Sequence, residues 1–253
     1  MIRLFALLIL TLMCAGVATA TTPAPADKKA EEKKPEDKKP EEQKAEDKRG
    51  GAEYAVRWDI AAGGPQTAEE ALKLLGQAGG DSDEYNVTYF NVKAPADAPP
   101  GAVAILRQRT NKSKVDLMLK YHSRSRVKVG SWKCPLPNPT EAKAALDVSF
   151  ATDSINRVFS YSCTIEAEKP IEPPAALAAS NPCASKMNRT KAGNLKVDFW
   201  ELPKALKVIE VSRNGDTSKK DREAFRRGIV NKLKRAGVKP LERGMAELGM
   251  RCK

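Results

Sequence analysis

Histidine is nearly absent from this chain: among 253 residues only His122 carries an imidazole. A Ser-His-Asp or Cys-His arrangement would have to use it. It lies beside Lys120 in a strand-like run, which leaves little room for nucleophilic chemistry of that kind. No C-x-x-C pair occurs either, and with a single histidine a zinc site lacks its ligands. After residue 20 no apolar run approaches the roughly 20 residues that a membrane-spanning helix needs. No specific nucleic-acid motif is present, so the basic character of the chain has to be read from its distribution.

That distribution is uneven. Residues 1–20 carry Arg3, an apolar run from Leu4 to Met13, and Ala18 and Ala20 in an A-x-A-like end. This is the pattern of a secretory signal peptide. Residues 21–51 are built almost wholly from Ala, Pro, Lys, Glu and Asp, with no aliphatic core residue beyond alanine and no aromatic one. Such a stretch cannot offset its ordering entropy by burial and reads as a disordered tether. Extended, it reaches roughly 100 Å. Its nine Lys/Arg and nine Asp/Glu cancel, so the +12 net charge of the chain falls almost entirely on residues 52–253. A basic domain of about 200 residues has room for one sizeable core and favours anionic partners.

Export agrees with the cysteines. Beyond Cys14, which lies in the signal segment, Cys134, Cys163, Cys183 and Cys252 remain. An even number in an oxidising compartment points to two disulfides, with three possible connectivities. The expected location is secreted or periplasmic.

Within the domain the clearest element is Gly101–Ser123. Two β-rich runs flank the polar connection Asn111-Lys112-Ser113-Lys114, the pattern of an antiparallel hairpin. Pairing Thr110 with Val115 puts Arg109 opposite Asp116 and Arg107 opposite Met118. Alternation then places Arg107, Arg109, Asp116 and Lys120 on one face and Leu106, Leu117, Leu119 and Tyr121 on the other. The charged face is either open water or the wall of a polar cavity.

Further strands are expected at Glu53–Ile60, Glu84–Val92, Ala145–Phe150, Asn156–Glu168, Leu195–Leu202 and Ala205–Arg213. Thr67 caps a helix from Ala68 to about Gln77, with Glu70 completing a capping box. A helix or turn is expected at Thr140–Ala144, an irregular excursion at Pro170–Pro182, and a long helix at Ser218–Gly237 with Phe225, Ile229 and Leu233 on one face. Many antiparallel strands with a few helices make the domain α+β, with a barrel-like sheet.

Taken in order, these segments resemble a family. Glu53-x-Ala55-x-Arg57 is similar to the E-x-E-x-K signature of CYTH domains, the triphosphate tunnel enzymes. Tyr89-Phe90-Asn91 resembles their Y-F-D stretch, and Leu106-Arg107-Gln108-Arg109 their L-R-x-R strand. Leu117-Met118-Leu119-Lys120 is similar to their T-v-K strand, Asp147 and Ser149 to an E-x-D strand, and Ser160-Tyr161-Ser162 to an S-x-S. Asp198-Phe199-Trp200 and Ile209-Glu210-Val211-Ser212-Arg213 resemble E-x-W and L-E-x-S-x-K strands.

The resemblance implies eight antiparallel strands closed into a tunnel-like β-barrel with flanking helices. It implies that Arg57, Arg107, Arg109, Lys120 and Arg213 hold a phosphate-rich anion such as tripolyphosphate, a nucleotide or polyphosphate. It also implies that Glu53, Asp147 and Glu210 bind Mg2+ or Mn2+ for attack of water on phosphorus. Hard cations want oxygen ligands, and metal and cationic side chains together neutralise developing charge. Ala55, Asn91 and Ser149 stand where the family carries acids, so two classes stay open beside the metal-dependent phosphohydrolase. One is a non-catalytic anion-binding domain, the other a structural or partner-binding one. For the tether the expectation is direct. A chain beginning at Gly51 should melt within a degree or two of the full mature chain in a thermal scan, and a drop of many degrees would show that residues 21–50 pack on the domain.

Overall fold

The computed structural model describes residues 51–94, 98, 101–124 and 134–252. The signal segment and residues 21–50 of the tether lie outside them. Nine strands form one closed sheet: β1 (Ala52–Asp59), β2 (Asp81–Asn91), β3 (Val103–Thr110), β4 (Val115–Ser123), β5 (Glu141–Phe150), β6 (Ile155–Ala167), β7 (Ser180–Ala192), β8 (Leu195–Glu201) and β9 (Lys207–Gly215). Around the barrel the order is β1-β5-β6-β4-β3-β2-β7-β8-β9, with β9 returning to β1.

The eight-stranded, all-antiparallel expectation is therefore corrected. The ninth strand is β7, which occupies the end of the supposed irregular excursion and the residues after it. Strands around a closed ring of odd number cannot alternate direction throughout, so one neighbouring pair has to be parallel. That pair is β1 with β5, Glu53 beside Asp147 and Ala55 beside Ser149. The other pairs are antiparallel. The helix or turn expected at 140–144 is also corrected: β5 begins at Glu141 and pairs with β6 from there. Ladder hydrogen bonding there overrides the helix preference of its alanines.

Inward and outward faces follow from the period of two. Outside β1, β8 and β9, an apolar cluster of Tyr54, Val56, Trp58, Val197, Ile209 and Val211 lies under α1 (Ala68–Leu75) and a segmented C-terminal helix. That helix comprises α2 (Lys219–Phe225), a π-turn over Arg226–Val230, and α3 (Asn231–Arg235). Phe225, Ile229 and Leu233 are its buried stripe. Ser218 caps it by accepting from Asp221 N at 3.0 Å. Thr67 Oγ1 caps α1 by accepting from Glu70 N, while Glu70 accepts from Gln66 N. Gly76 closes α1 in the left-handed region at φ 77°, where a side chain would be strained. A second cluster, Leu106, Leu117, Leu119, Tyr121, Tyr161 and Leu177, backs the β3–β4–β6 wall.

The central hairpin has the register its sequence predicts. Thr110 faces Val115, Arg109 faces Asp116 and Arg107 faces Met118. Asn111 Oδ1 closes the turn by accepting from Ser113 N at 3.0 Å and Lys114 N at 2.9 Å.

After α3 the chain crosses one end of the barrel and ends in a short helix, α4 (Met245–Gly249). Leu241 N donates to Arg57 O at 2.8 Å. Gly249 lies so close to Tyr89 that a Cβ there would overlap the ring. The segment is tied down by a disulfide from Cys252 to Cys183 on β7, and a second disulfide joins Cys134 to Cys163 on β6. Of the three connectivities that the sequence leaves open, this is the one the fold makes. Peptide mapping under non-reducing conditions should recover these two linkages and no free thiol. Cys183→Ser with Cys252→Ser should lower stability in chemical denaturation by about 2–4 kcal/mol, because the bridge closes a long loop. Recovery of a Cys134–Cys183 or Cys134–Cys252 peptide would contradict the fold.

Candidate functional site

The barrel encloses a cavity of about 680 Å³. Every strand contributes to its wall, and the end segment lies across one mouth. On the inward positions of β1 stand Glu53, Ala55 and Arg57; β3 gives Val103, Ile105 and Arg107; β4 gives Met118, Lys120 and His122. Asp147 and Ser149 come from β5, Asn156 and Val158 from β6, Tyr89 from β2, Arg189 from β7, Asp198 and Trp200 from β8, and Glu210 from β9. Glu242, Gly244, Met245, Ala246, Glu247 and Met250 close the end.

Most of the charges inside are paired, and with short geometry. Arg57 Nε donates to Glu210 Oε2 at 2.6 Å, while its Nη1 reaches Ser149 Oγ at 3.2 Å and the Arg243 carbonyl at 3.4 Å. Arg189 holds Asp198 through two parallel hydrogen bonds of 2.7 and 2.6 Å. This is the planar, forked geometry that guanidinium and carboxylate favour. Lys120 Nζ stands 2.5 Å from Asp147 Oδ2, which His122 Nε2 approaches at 3.0 Å, and Ser160 Oγ donates to Asp147 Oδ1 at 3.0 Å. Arg109 pairs with Asp116 at 2.9 Å and stacks over the Tyr85 ring. Glu53, at the other end of β1, faces Lys196 at 3.6 Å.

Arg107 is different. It lines the cavity, and no described carboxylate bonds to it. Its Nη2 meets the Met118 sulfur at 3.6 Å, and the Tyr89 hydroxyl lies within hydrogen-bonding reach of the guanidinium. Its Nε is buried without a hydrogen-bond partner, and so is the indole Nε1 of Trp200 on the same cavity wall. Buried donors without acceptors are rare and call for an explanation. Burial and the neighbouring Arg109 charge push the Arg107 pKa down. Burial pushes the Tyr89 hydroxyl up, so the phenol keeps its proton beside the guanidinium despite the opposing influence of Arg107.

The sequence-derived residues therefore separate. Arg57, Arg107 and Lys120 stand on the cavity wall. Arg109 shares their face of the hairpin but is bound to Asp116 at the edge of the space. Arg213 is corrected: three residues from Glu210 on one strand, it must point to the opposite face. It lies outside the barrel, bound to Asp221 of α2 and stacked over Tyr54 and Phe225. Glu53, Asp147 and Glu210 all line the cavity, yet each faces a cation. Among the described residues no three His, Cys, Asp or Glu side chains are grouped so as to hold a metal ion. The residues do not fit a ready-made site for Mg2+ or Mn2+.

The wall is also less basic than the domain. Its described cations are Arg57, Arg107, Lys120, Arg124 and Arg189. Its carboxylates are Glu53, Asp147, Asp198, Glu210, Glu242 and Glu247, one more than the cations. Three of these inward cations, Arg57, Lys120 and Arg189, are paired with carboxylates of the same wall. Sequence reading left Arg189, Tyr89 and Trp200 out of the site. Arg189 was hidden because β7 was not seen as a strand; had it been, the two-residue spacing from Met187 would have pointed it inward.

No family model matches the chain, and no curated protein matches its sequence. Solved structures with a similar course include a Pyrococcus horikoshii OT3 protein (13% identity, 78% of this chain and 98% of that one, TM-score 0.43). Another is a Vibrio parahaemolyticus protein described as a candidate adenylate cyclase (8% identity, 79% and 98%, TM-score 0.45). A third is a Hippeastrum protein described as a candidate adenylyl cyclase with a dominant triphosphatase activity (13% identity, 76% and 90%, TM-score 0.35). At such identities a likeness speaks of chain course and not of chemistry.

The two cavity carboxylates respond to acid in opposite senses. Burial raises the Asp147 carboxyl, but the His122 hydrogen bond and the Lys120 charge outweigh it and hold the group well below the usual carboxylate range. Its contribution to stability is fully present above about pH 4 and is lost as pH falls through the lowered folded value. Burial raises Glu210, and the charges of Asp198 and Glu53 add to that, against the pull of Arg57. Its contribution is present at acid pH and lost as pH rises through the raised folded value. Asp147→Asn should therefore be less stable than the parent at pH 7, and the difference in melting temperature should shrink as pH is lowered below 4. A difference that stays constant down to pH 2 would count against the depressed carboxyl.

Proposed function

We propose that the barrel is a non-catalytic receptor for an anionic ligand in an exported protein, with Arg107 as the charge that receives the anion. The observation that carries this reading is the pair of buried donors without acceptors, Arg107 Nε and Trp200 Nε1, on the wall of one cavity. A ligand oxygen would satisfy what the protein leaves open, and the Tyr89 hydroxyl is a further donor beside it. Phosphate and carboxylate groups suit a guanidinium through charge-assisted, bidentate hydrogen bonds. The three paired cations of the wall, Arg57, Lys120 and Arg189, are held in place by their carboxylates and shape it. Export is supported by two disulfides. No helix among the described residues is long and apolar enough to cross a membrane.

The metal-dependent phosphohydrolase reading requires carboxylates free for a hard cation. Glu53, Asp147 and Glu210 would first have to release Lys196, Lys120 and Arg57. Two substitutions separate receptor from scaffold. Removing a buried charge that lacks a partner costs little or stabilises, whereas removing one member of a buried pair strands the other. Arg107→Met should leave the melting temperature unchanged or raise it, and abolish the stabilisation that an anionic ligand gives. Arg57→Met should destabilise by about 3 kcal/mol at pH 7, and by less as pH is lowered and the stranded Glu210, already raised by burial, takes up a proton. Thermal scans against phosphate, pyrophosphate, tripolyphosphate and ATP, with and without Mg2+ or Mn2+, complete the test. Equal destabilisation by the two substitutions, or metal-dependent release of phosphate from tripolyphosphate, would overturn the receptor reading.

A further inference from the structure

The cavity has more room and less positive charge than a polyphosphate needs. Each interior cation except Arg107 is already neutralised by a carboxylate within hydrogen-bonding distance. Arg124, the remaining cation of the wall, is exposed at the rim. A ligand with several negative charges would place most of them against Glu53, Asp147, Asp198 and Glu210 with no free counter-charge, and a buried charge without a partner is costly. One anionic group is what this wall neutralises.

Six apolar side chains share the wall with these charges. Val103, Ile105, Met118, Val158, Met245 and Met250 line the cavity together. Val103 is 59% exposed, an apolar side chain standing at the cavity's edge where a polar one would be expected. Three of the six are methionines, whose flexible, polarisable side chains adapt to an irregular apolar partner. A volume of about 680 Å³ lies within the range of pockets that bury a whole small organic ligand, apolar over most of their lining with a few placed polar groups. Arg107, Trp200 and Tyr89 are polar groups here that no described carboxylate bonds, alongside the charged residues of the wall and His122, Ser149 and Asn156.

We infer that the ligand is an amphiphile with one anionic head, a carboxylate or phosphate monoester, at Arg107 and an apolar body along the Val103–Met118–Met245 wall. This rests on the reading of Arg107 as the anion's partner and narrows it. The head accepts from Arg107 and the Trp200 indole. The body displaces water from apolar surface, which supplies most of the affinity.

Calorimetric titration of the mature chain below the micellar range tests it. The probes are decanoate and decyl phosphate for the whole ligand, acetate and inorganic phosphate for the head alone, decanol for the body alone, and tripolyphosphate for multiple charge. One or both amphiphiles should bind at least tenfold tighter than their heads and than decanol. The tighter of the two identifies the head as carboxylate or phosphate. Arg107→Met should weaken that binding at least tenfold, and Val103→Asp, an exposed change that leaves the fold intact, should weaken it severalfold. Tripolyphosphate binding tighter than both amphiphiles, with loss in Arg107→Met, overturns the amphiphile and leaves the Arg107 receptor standing. Amphiphile binding that ignores both substitutions also overturns the amphiphile. No Arg107-dependent binding of any anion overturns both.

Discussion

The interior of a closed barrel gives its charges little water, so an inward arginine or lysine needs a counter-charge from a neighbouring strand. Three of the four pairs that meet this need are direct cross-strand neighbours. Arg57 lies opposite Glu210 between β1 and β9, Arg109 opposite Asp116 between β3 and β4, and Arg189 opposite Asp198 between β7 and β8. A slip of one residue in any of these ladders would turn one partner outward and strand the other. The pairs therefore specify register as well as neutralising charge, and much of the inward surface is arranged around them. Lys120 with Asp147 does the same across a longer span, joining β4 to β5 over the intervening β6.

Outside, the same alternation makes the core. Every inward Arg57, Glu210 or Asp198 has outward neighbours such as Trp58, Ile209 or Val197, and these need a cover. The helices supply it on the β1–β8–β9 side, where Phe225 and Leu233 complete the cluster. Arg213 shows how strictly the alternation holds. It carries the charge that a ligand-binding strand would want, but its parity sends it under α2, where Asp221 neutralises it. A list of motif positions cannot see this; counting residues from Glu210 does.

What was legible in the sequence was what alternation makes visible. The β3–β4 hairpin, with leucines on one face and charges on the other, gave its register residue by residue. β7 was not legible because its inward residues are Cys183, Ser185, Met187 and Arg189, and its outward ones include Ala184, Lys186 and Asn188. Neither set has the β-branched or aromatic character that marks a strand, and its pairing energy comes from being held between β2 and β8. Losing β7 hid two further things: the arginine that pairs with Asp198, and the attachment point of the Cys252 disulfide. The end segment that crosses the barrel mouth could not be placed without that attachment. Beyond the Arg109–Asp116 pair of the hairpin, charge pairing was hidden too, since composition reports a basic domain while the cavity wall carries more carboxylates than cations.

The departures from the CYTH-like pattern then fit one physical account. Ser149, on β5 where an acid is expected, offers Arg57 a hydroxyl and so adds no negative charge beside Glu210 and Asp147. Ala55 leaves its stretch of β1 small and neutral between Glu53 and Arg57. The carboxylates that remain, Glu210, Asp147 and Glu53, each face a cation. Arg107 alone escapes the balance, buried beside Tyr89 with its Nε facing no acceptor. Burying a cation without a carboxylate partner costs stability, and packing alone does not explain it.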